Sequence, residues 1–273
     1  MDHRRWNPYL MASRENSIFP DLDNVNLSNN LLEYNMEKNL DINNEIYNTL
    51  GDRWYTAQDD PVALLRSESK TKAPWVIQNI KEFFGNKKDL KILDVGCGAG
   101  FLSNRLALES YRVTGVDLSE DSLRIAKKYD KTGAVEYQIA DANQLPFKNN
   151  QFDVVTAMDF LEHVTNPQEI ITEISRVLSP GGLFFFHTFN RNLLSHLVII
   201  KMVEWLVKNT PKNMHVPNLF IKPQELMEYC RQNGMSICKM TGIRPKLSTI
   251  MLKDKKTLKK NSSEPSVTLT KGF

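Results

Sequence analysis

Three cysteines in 273 residues are too few to staple a fold. Cys97, Cys230 and Cys238 also lack the paired spacing of a metal site, so they read as reduced thiols of a cytosolic protein. No run of about 20 apolar residues occurs, which excludes a bilayer-spanning helix. The first residues are charged and polar where a secretory signal needs an apolar stretch. An excess of one charge sign is lacking as well. Lys+Arg 35 against Asp+Glu 32 leaves +3, too small a surplus for a nucleic-acid-binding face. What is present, 41% apolar and 25% charged residues, is an ordinary globular composition and excludes a collagen-like or wholly disordered chain. The expectation is a cytoplasmic enzyme or binding protein of one large or two small domains, with no nucleic-acid partner.

The first 40 residues stand apart. Asparagine recurs at 7, 16, 24, 26, 29, 30, 35 and 39, and the apolar residues lack a period. Such a stretch buries too little to offset its ordering entropy, so residues 1–40 are expected to be a disordered or non-native extension. Met36 is an alternative start. Residues 41–273 then form one domain. A short amphipathic helix is expected over 43–50 and a second over 67–84, with Pro74 near its start or at a break. Strands at 90–95, 111–117, 135–141, 152–158 and 182–189 alternate with helices at 100–110, 120–129 and 167–178. This rhythm predicts an α/β fold with a doubly wound, mostly parallel sheet. Late strands at 236–243 and 266–273 bring the sheet to seven, after helices at 193–207 and 221–234. The lysine-rich run 253–265 reads as a solvated loop.

The strongest signal is Asp94-Val95-Gly96-Cys97-Gly98-Ala99-Gly100, directly after the first parallel strand. Glycines allow a tight turn and let backbone N–H groups, Cys97 included, approach a ligand. Asp117 ends the next strand 17 residues past Gly100, placed to accept hydrogen bonds from ribose hydroxyls, with Leu118 beside it. Asp141-Ala142 ends the third, where the acid can meet an adenine amine. The G-x-G-x-G spacing, and an Asp94 placed to meet a cationic amino acid rather than a pyrophosphate, favour S-adenosylmethionine over a dinucleotide.

With Pro180-Gly181-Gly182 before the fifth strand, the stretch 90–190 resembles the class I, Rossmann-like methyltransferases. The segments NEIYNTLGDRWY (44–55), LLRSES (64–69), VVTAMDFLEHVTNPQE (154–169), FFFHTFNRN (184–192) and FIKPQEL (220–226) are similar to the ubiquinone-biosynthesis O-methyltransferase family. That resemblance implies methylation of a hydroxyl on a polyprenylated phenol or catechol. It also implies cofactor contacts from Arg66 and Met158, and a substrate-facing His215.

Asp159, Glu162 and His163 are spaced i, i+3, i+4 and would share one face of a helical turn. They could hold a divalent ion such as Mg²⁺, which would lower the pKa of a bound phenol. Alternatively His163 or Glu162 acts as base or orients the loop, or the group is structural. Asp159 stands where the resembled family usually has Glu. His187, inside a Phe-rich strand, reads as a satisfied core residue, and Trp54 and Tyr55 as packing or as a cap on the cofactor pocket.

Residues 193–207 are apolar on most sides, with Lys201 inside the run and Arg191, Lys208 and Lys212 beside it. They can pack on the sheet or lie in a membrane surface, and the resemblance makes 191–235 the substrate- and membrane-facing segment. Partners would then be a prenylated quinone precursor, the inner face of a membrane and other enzymes of quinone synthesis. Competing readings are a methyltransferase for another phenol or small metabolite, a non-catalytic subunit and a nicotinamide dehydrogenase.

Overall fold

A computed structural model describes residues 7–14, 45–58, 61–188, 220–245 and 267–271. Eight strands form one sheet: β1 (Asn7–Arg14), β2 (Lys91–Val95), β3 (Arg112–Asp117), β4 (Glu136–Ile139), β5 (Phe152–Met158), β6 (Leu178–His187), β7 (Met235–Pro245) and β8 (Val267–Lys271). Their order is β4-β3-β2-β5-β6-β1-β7-β8. The first five in that order pair in parallel, and β1 and β8 run antiparallel to their neighbours. The mostly parallel, doubly wound sheet read from the sequence is present, and all seven expected strands are in it.

The eighth strand corrects the reading of the N-terminus. Within the stretch expected to be disordered, Asn7–Arg14 fills an interior position of the sheet. Tyr9–Ser13 pair with Leu183–His187 of β6 on one side, and Asn7–Arg14 with Met235–Ile243 of β7 on the other. Met11, Ala12 and Ser13 are buried. The Arg14 guanidinium donates to the Ser175 carbonyl (2.8 Å), the Leu178 carbonyl and Asn150 Oδ1 (2.7 Å). Two ladders and a buried apolar pair offset the ordering entropy that composition alone left uncovered.

The helices follow their end signals. α4 (Glu120–Tyr129) starts where the Ser119 hydroxyl accepts the Ser122 N–H, has Glu120 and Asp121 in its first turn, and ends on Lys127 and Lys128. α5 (Pro167–Val177) opens on a proline, which has no N–H to leave unsatisfied. The helix expected at 67–84 is longer. After the one-turn α1 (Arg53–Thr56), α2 runs Pro61–Phe84 straight through Pro74. Pro74 faces solvent, while Trp75, Val76, Ile77 and Ile80 bury against the sheet and hold the helix across the lost hydrogen bond. α3 (Ser103–Ala107) is shorter than expected, and the expected 43–50 helix is a 3₁₀ turn at Glu45–Asn48. α6 (Pro223–Gln232) packs beside α5, where the Ser175 hydroxyl donates to the Asn233 carbonyl (2.9 Å). The expected helix 193–207 and His215 lie outside the described residues. Among the described residues no helix is long and apolar enough to cross a membrane.

Candidate active site

Five adjacent strands, β4-β3-β2-β5-β6, deliver their C-terminal ends to one edge of the sheet, where open α/β sheets bind ligands. β2 runs into the glycine turn. Gly96 and Gly100 have φ of 66° and 75°, and a Cβ on either would overlap the Phe160 ring or the Tyr137 hydroxyl respectively. The turn is closed by Cys97 N–H to the Val116 carbonyl (3.0 Å) and Gly100 N–H to the Cys97 carbonyl (2.9 Å). Burial, with Asp117 and Asp94 nearby, raises the Cys97 thiol well above its ordinary pKa, so it is a neutral lining group.

Asp117, at the end of β3, accepts Gly98 N–H on Oδ2 (2.8 Å) and Ser119 N–H on Oδ1 (2.9 Å). Each oxygen keeps acceptor capacity for a ribose hydroxyl. Burial raises its pKa, and the Ser119, Gly98 and Leu118 N–H groups partly offset this. Next to it, Leu118 is 69% exposed, and Ile139, paired with Asp117 across the β3–β4 ladder, is 56% exposed. Two large apolar side chains left in solvent at neighbouring strand ends suit the faces of an adenine ring. Asp141 is exposed just beyond, its carboxylate accepting the Asn143 N–H (2.9 Å) and side-chain amide (2.8 Å), with Ala142 buried behind it.

An aromatic layer closes over the glycines. The Trp54 ring touches the position a Gly98 Cβ would take, and stacks with Tyr47. Tyr55 stacks on Tyr129 with centroids 3.8 Å apart and donates its hydroxyl to the Ala99 carbonyl (2.9 Å). Trp54 is buried, yet its indole N–H has no acceptor among the described residues. These features fit S-adenosylmethionine: a ribose acceptor held in place, an apolar adenine ledge and an unsatisfied donor over a backbone cradle.

Two residues expected to contact the cofactor are engaged within the protein. Asp94 was expected to meet the cationic amino acid. It is only 3% exposed, and its oxygens take the Ser103 (2.6 Å) and Thr156 (2.6 Å) hydroxyls, so it ties the turn to β5 and α3. Burial pushes its carboxyl up to about 6 against those hydrogen bonds. Arg66, the other, caps α1, donating to the Trp54 carbonyl (3.0 Å) and the Ala57 carbonyl. The cation that reaches the site is Lys72, six residues on. Met158 ends β5, half-buried beside the turn.

Asp159, Glu162 and His163 do not assemble as a metal triad. Asp159 has φ of 56° and precedes the 3₁₀ turn Leu161–His163, so the three do not lie on one continuous helix. Its carboxylate is bound by Lys72 Nζ (2.5 and 2.6 Å) and by His187 Nδ1. Lys72 also pairs with Glu68 (2.7 Å). Burial would lower the Lys72 pKa, but Asp159 and Glu68 outweigh it and hold the lysine charged. Burial would raise Asp159, but Lys72 and His187 hold it far below the usual carboxylate range. Burial and the Lys72 charge lower His187, leaving a neutral imidazole in a fully buried position, as expected of a core residue. Among the described residues no group of three His, Cys, Asp or Glu is placed to hold a metal ion. The residues present therefore do not fit Mg²⁺.

Glu162 differs from Asp159 in one decisive respect. It is 2% exposed, and among the described residues neither carboxylate oxygen meets a partner at full hydrogen-bond geometry, the Thr188 hydroxyl being the side chain near enough to favour its ionised form. Burial first, and the Asp159 charge second, push its carboxyl up to about 8. His163 is half-buried with its ring edge against Tyr47, centroids 5.8 Å apart. Tyr47 is raised by burial and then by Glu162, Asp159 and Asp117, so it stays a neutral phenol within reach of all three carboxylates. Tyr47, Lys72 and Thr188 were not singled out from sequence. Lys72 had a signal, a cation at the apolar positions shared by Ala73, Val76, Ile77 and Ile80.

Replacing Asp117 with alanine is expected to weaken S-adenosylhomocysteine binding at least tenfold, the worth of one or two charge-assisted hydrogen bonds (about 1.5–3 kcal/mol). Titration calorimetry reads this directly; unchanged affinity would place the nucleoside elsewhere.

Comparison with known proteins agrees with this construction. A family described as "Methyltransferase domain" matches residues 93–186. The ubiquinone biosynthesis O-methyltransferase of Hydrogenovibrio crunogenus is 36% identical over 231 residues, covering 82% of this chain and 92% of that protein. That of Aromatoleum aromaticum is 32% identical, covering 72% and 83%. Among solved structures, magnesium protoporphyrin IX methyltransferase of Synechocystis PCC 6803, with bound S-adenosylhomocysteine, aligns with TM-score 0.52 and 20% identity over 70% of this chain and 82% of that one, a likeness of fold. From the strand-end site and these relatives, the chain belongs to the ubiquinone biosynthesis O-methyltransferase family and is an S-adenosylmethionine-dependent methyltransferase.

Proposed function

We propose that this enzyme methylates a hydroxyl of a polyprenylated catechol intermediate in ubiquinone biosynthesis. The single observation that carries the chemistry is Glu162, a buried carboxylate with no cation bound to it among the described residues, in the 3₁₀ turn Leu161–His163 that follows β5. S-adenosylmethionine supplies an electrophilic methyl group. The chain's own residues must hold the phenol and remove its proton. A phenol is a weak nucleophile near neutral pH, and a base whose pKa lies near the working pH is the efficient one. Glu162 meets that requirement. Lys72 neutralises Asp159, His187 hydrogen-bonds it, and together they keep it from competing for the same proton. His163, with Tyr47 against its ring, orients the turn that carries Glu162.

In this reading residues 41–273 act as one methyltransferase domain, with 90–190 as the cofactor half. Gly96, Cys97, Gly98, Gly100, Asp117, Leu118, Asp141, Ala142 and Met158 line the cofactor. His215 and the apolar stretch 193–207 supply a substrate-facing wall and a contact with the inner membrane surface, where a polyprenyl chain resides. Other enzymes of quinone synthesis are the expected protein partners.

Cells lacking the protein should accumulate the unmethylated ring intermediate, identified by mass spectrometry of their quinone precursors. An unchanged precursor profile would contradict the assignment. Because Asp159 is bound by Lys72 and His187, turnover of an alkylcatechol in excess chelator is expected to stay within about twofold of the untreated rate, since a Lewis acid would otherwise supply a large part of the activation. Loss of turnover, restored by Mg²⁺, would return the ionising role to a metal.

A further inference from the structure

Glu68 has no part in proton removal, yet it belongs to the same buried charge cluster. Lys72 of α2, only 3% exposed, binds two carboxylates: Asp159, one residue past β5 (2.5 and 2.6 Å), and Glu68, one turn earlier on its own helix (2.7 Å). His187 lies 3.4 Å from the lysine and is neutral. The two carboxylates hold the lysine charged, so one cation faces two anions. Neighbouring acids do not restore the balance. Burial favours the neutral form of Glu162, and the N–H groups on Asp117 carry no net charge. Among the described residues the cluster keeps an excess negative charge, and such a buried charge is costly until a cation completes it.

The cluster adjoins the cofactor turn. Phe160, next to Asp159, places its ring where a Gly96 Cβ would sit. The Asp159 and Asp117 charges both act on Tyr47, whose ring stacks on Trp54 over Gly98. The methyl donor is a sulfonium, a cation that brings its charge without a hydrogen-bond donor. We propose that the Glu68–Lys72–Asp159 cluster selects the cofactor by charge, its excess negative charge completed by the sulfonium, with Glu68 the specificity-determining residue that favours the methylated donor over the demethylated product. In the transfer the C–S bond breaks as the O–C bond forms, the electron pair stays on sulfur, and the sulfonium becomes a neutral thioether. The counter-charge is then gone, and the product is held less tightly. The cluster stabilises the donor before transfer, so it acts in selection and release and does not speed the displacement. This goes beyond the O-methylation reading, because it concerns the cofactor whatever the acceptor.

Titration calorimetry at neutral pH tests it with three ligands: S-adenosylmethionine, S-adenosylhomocysteine, and sinefungin, which carries an ammonium group where the sulfonium stands. The wild-type protein should bind both cationic ligands about tenfold more tightly than the thioether, the scale of one unit charge acting across a protein interior. Glu68→Gln leaves the Lys72–Asp159 pair in place and removes the excess charge. It should bring the three affinities together by weakening the cationic ligands, with S-adenosylhomocysteine affinity unchanged, and Glu68→Asp should restore the preference. Equal affinities in the wild type, an undiminished preference in Glu68→Gln, or an equal loss for all three ligands overturns the proposal. Should the glutamine variant fail to fold, the wild-type comparison decides: preference for both cationic ligands supports selection by charge, while preference for S-adenosylmethionine alone assigns it to contact with the methyl group and overturns it.

Discussion

A protein carrying Glu162→Gln is expected to bind S-adenosylhomocysteine normally while kcat falls by about 10²- to 10⁴-fold, the usual worth of a positioned general base. Glutamine keeps the shape and can satisfy the buried pocket, but it cannot accept the phenolic proton. The same group sets the pH dependence. A base works deprotonated, and Glu162 is raised to about 8 by burial and the nearby Asp159 charge. The wild-type rate should therefore climb as pH rises toward 8 and level off above it. In Glu162→Gln that rise should disappear, leaving only the gradual gain from ionisation of the phenol itself. An unchanged profile in the variant would assign the proton to another group, with His163 the first to examine.

The other large effect concerns the fold. Removing residues 1–14, or introducing Ala12→Asp, is expected to abolish cooperative unfolding at the wild-type temperature. Ala12 is fully buried, paired with Phe184 on one side and Ile237 on the other. An aspartate there combines overpacking (about 1–3 kcal/mol) with an unbonded buried polar group (about 2–7 kcal/mol). Against a total stability of about 5–15 kcal/mol, the sum is enough to unfold much of the population. Deletion goes further, because β1 joins β6 to β7 and so connects the parallel half to the β7–β8 pair. Calorimetric or urea melts read the result. A deletion protein with the wild-type midpoint would show that β1 is not an interior strand.

The contrast between β1 and the other strands shows what a sequence displays. Strands such as Phe152–Met158 are buried on both faces, so their apolar runs announce them. The apolar run Tyr9–Ala12 is four residues long inside an asparagine-rich stretch, and averaging over forty residues hides it. The glycine turn and the acids at strand ends were legible for the same reason as the strands, because their geometry follows from local spacing. What depended on side-chain direction was not. Arg66 and Lys72 are six residues apart on one helix, which points them to different sides, and only packing decides which one meets Asp159. The i, i+3, i+4 reading of Asp159, Glu162 and His163 assumed a helix beginning at Asp159. The left-handed backbone there breaks that assumption and hands the carboxylate to Lys72 and His187. Asp94 was placed correctly in sequence, but the Ser103 and Thr156 hydroxyls that turn it inward come from other elements.

The central claim is that this chain moves a methyl group from S-adenosylmethionine to a phenolic oxygen. The most direct measurement incubates the purified protein with S-adenosylmethionine labelled in the methyl group and an alkylcatechol, and identifies the product by mass spectrometry and NMR. The account predicts a single O-methyl ether, formed in step with S-adenosylhomocysteine and dependent on Glu162. Label on a ring carbon, or no labelled product from a protein that binds S-adenosylhomocysteine normally, would contradict it.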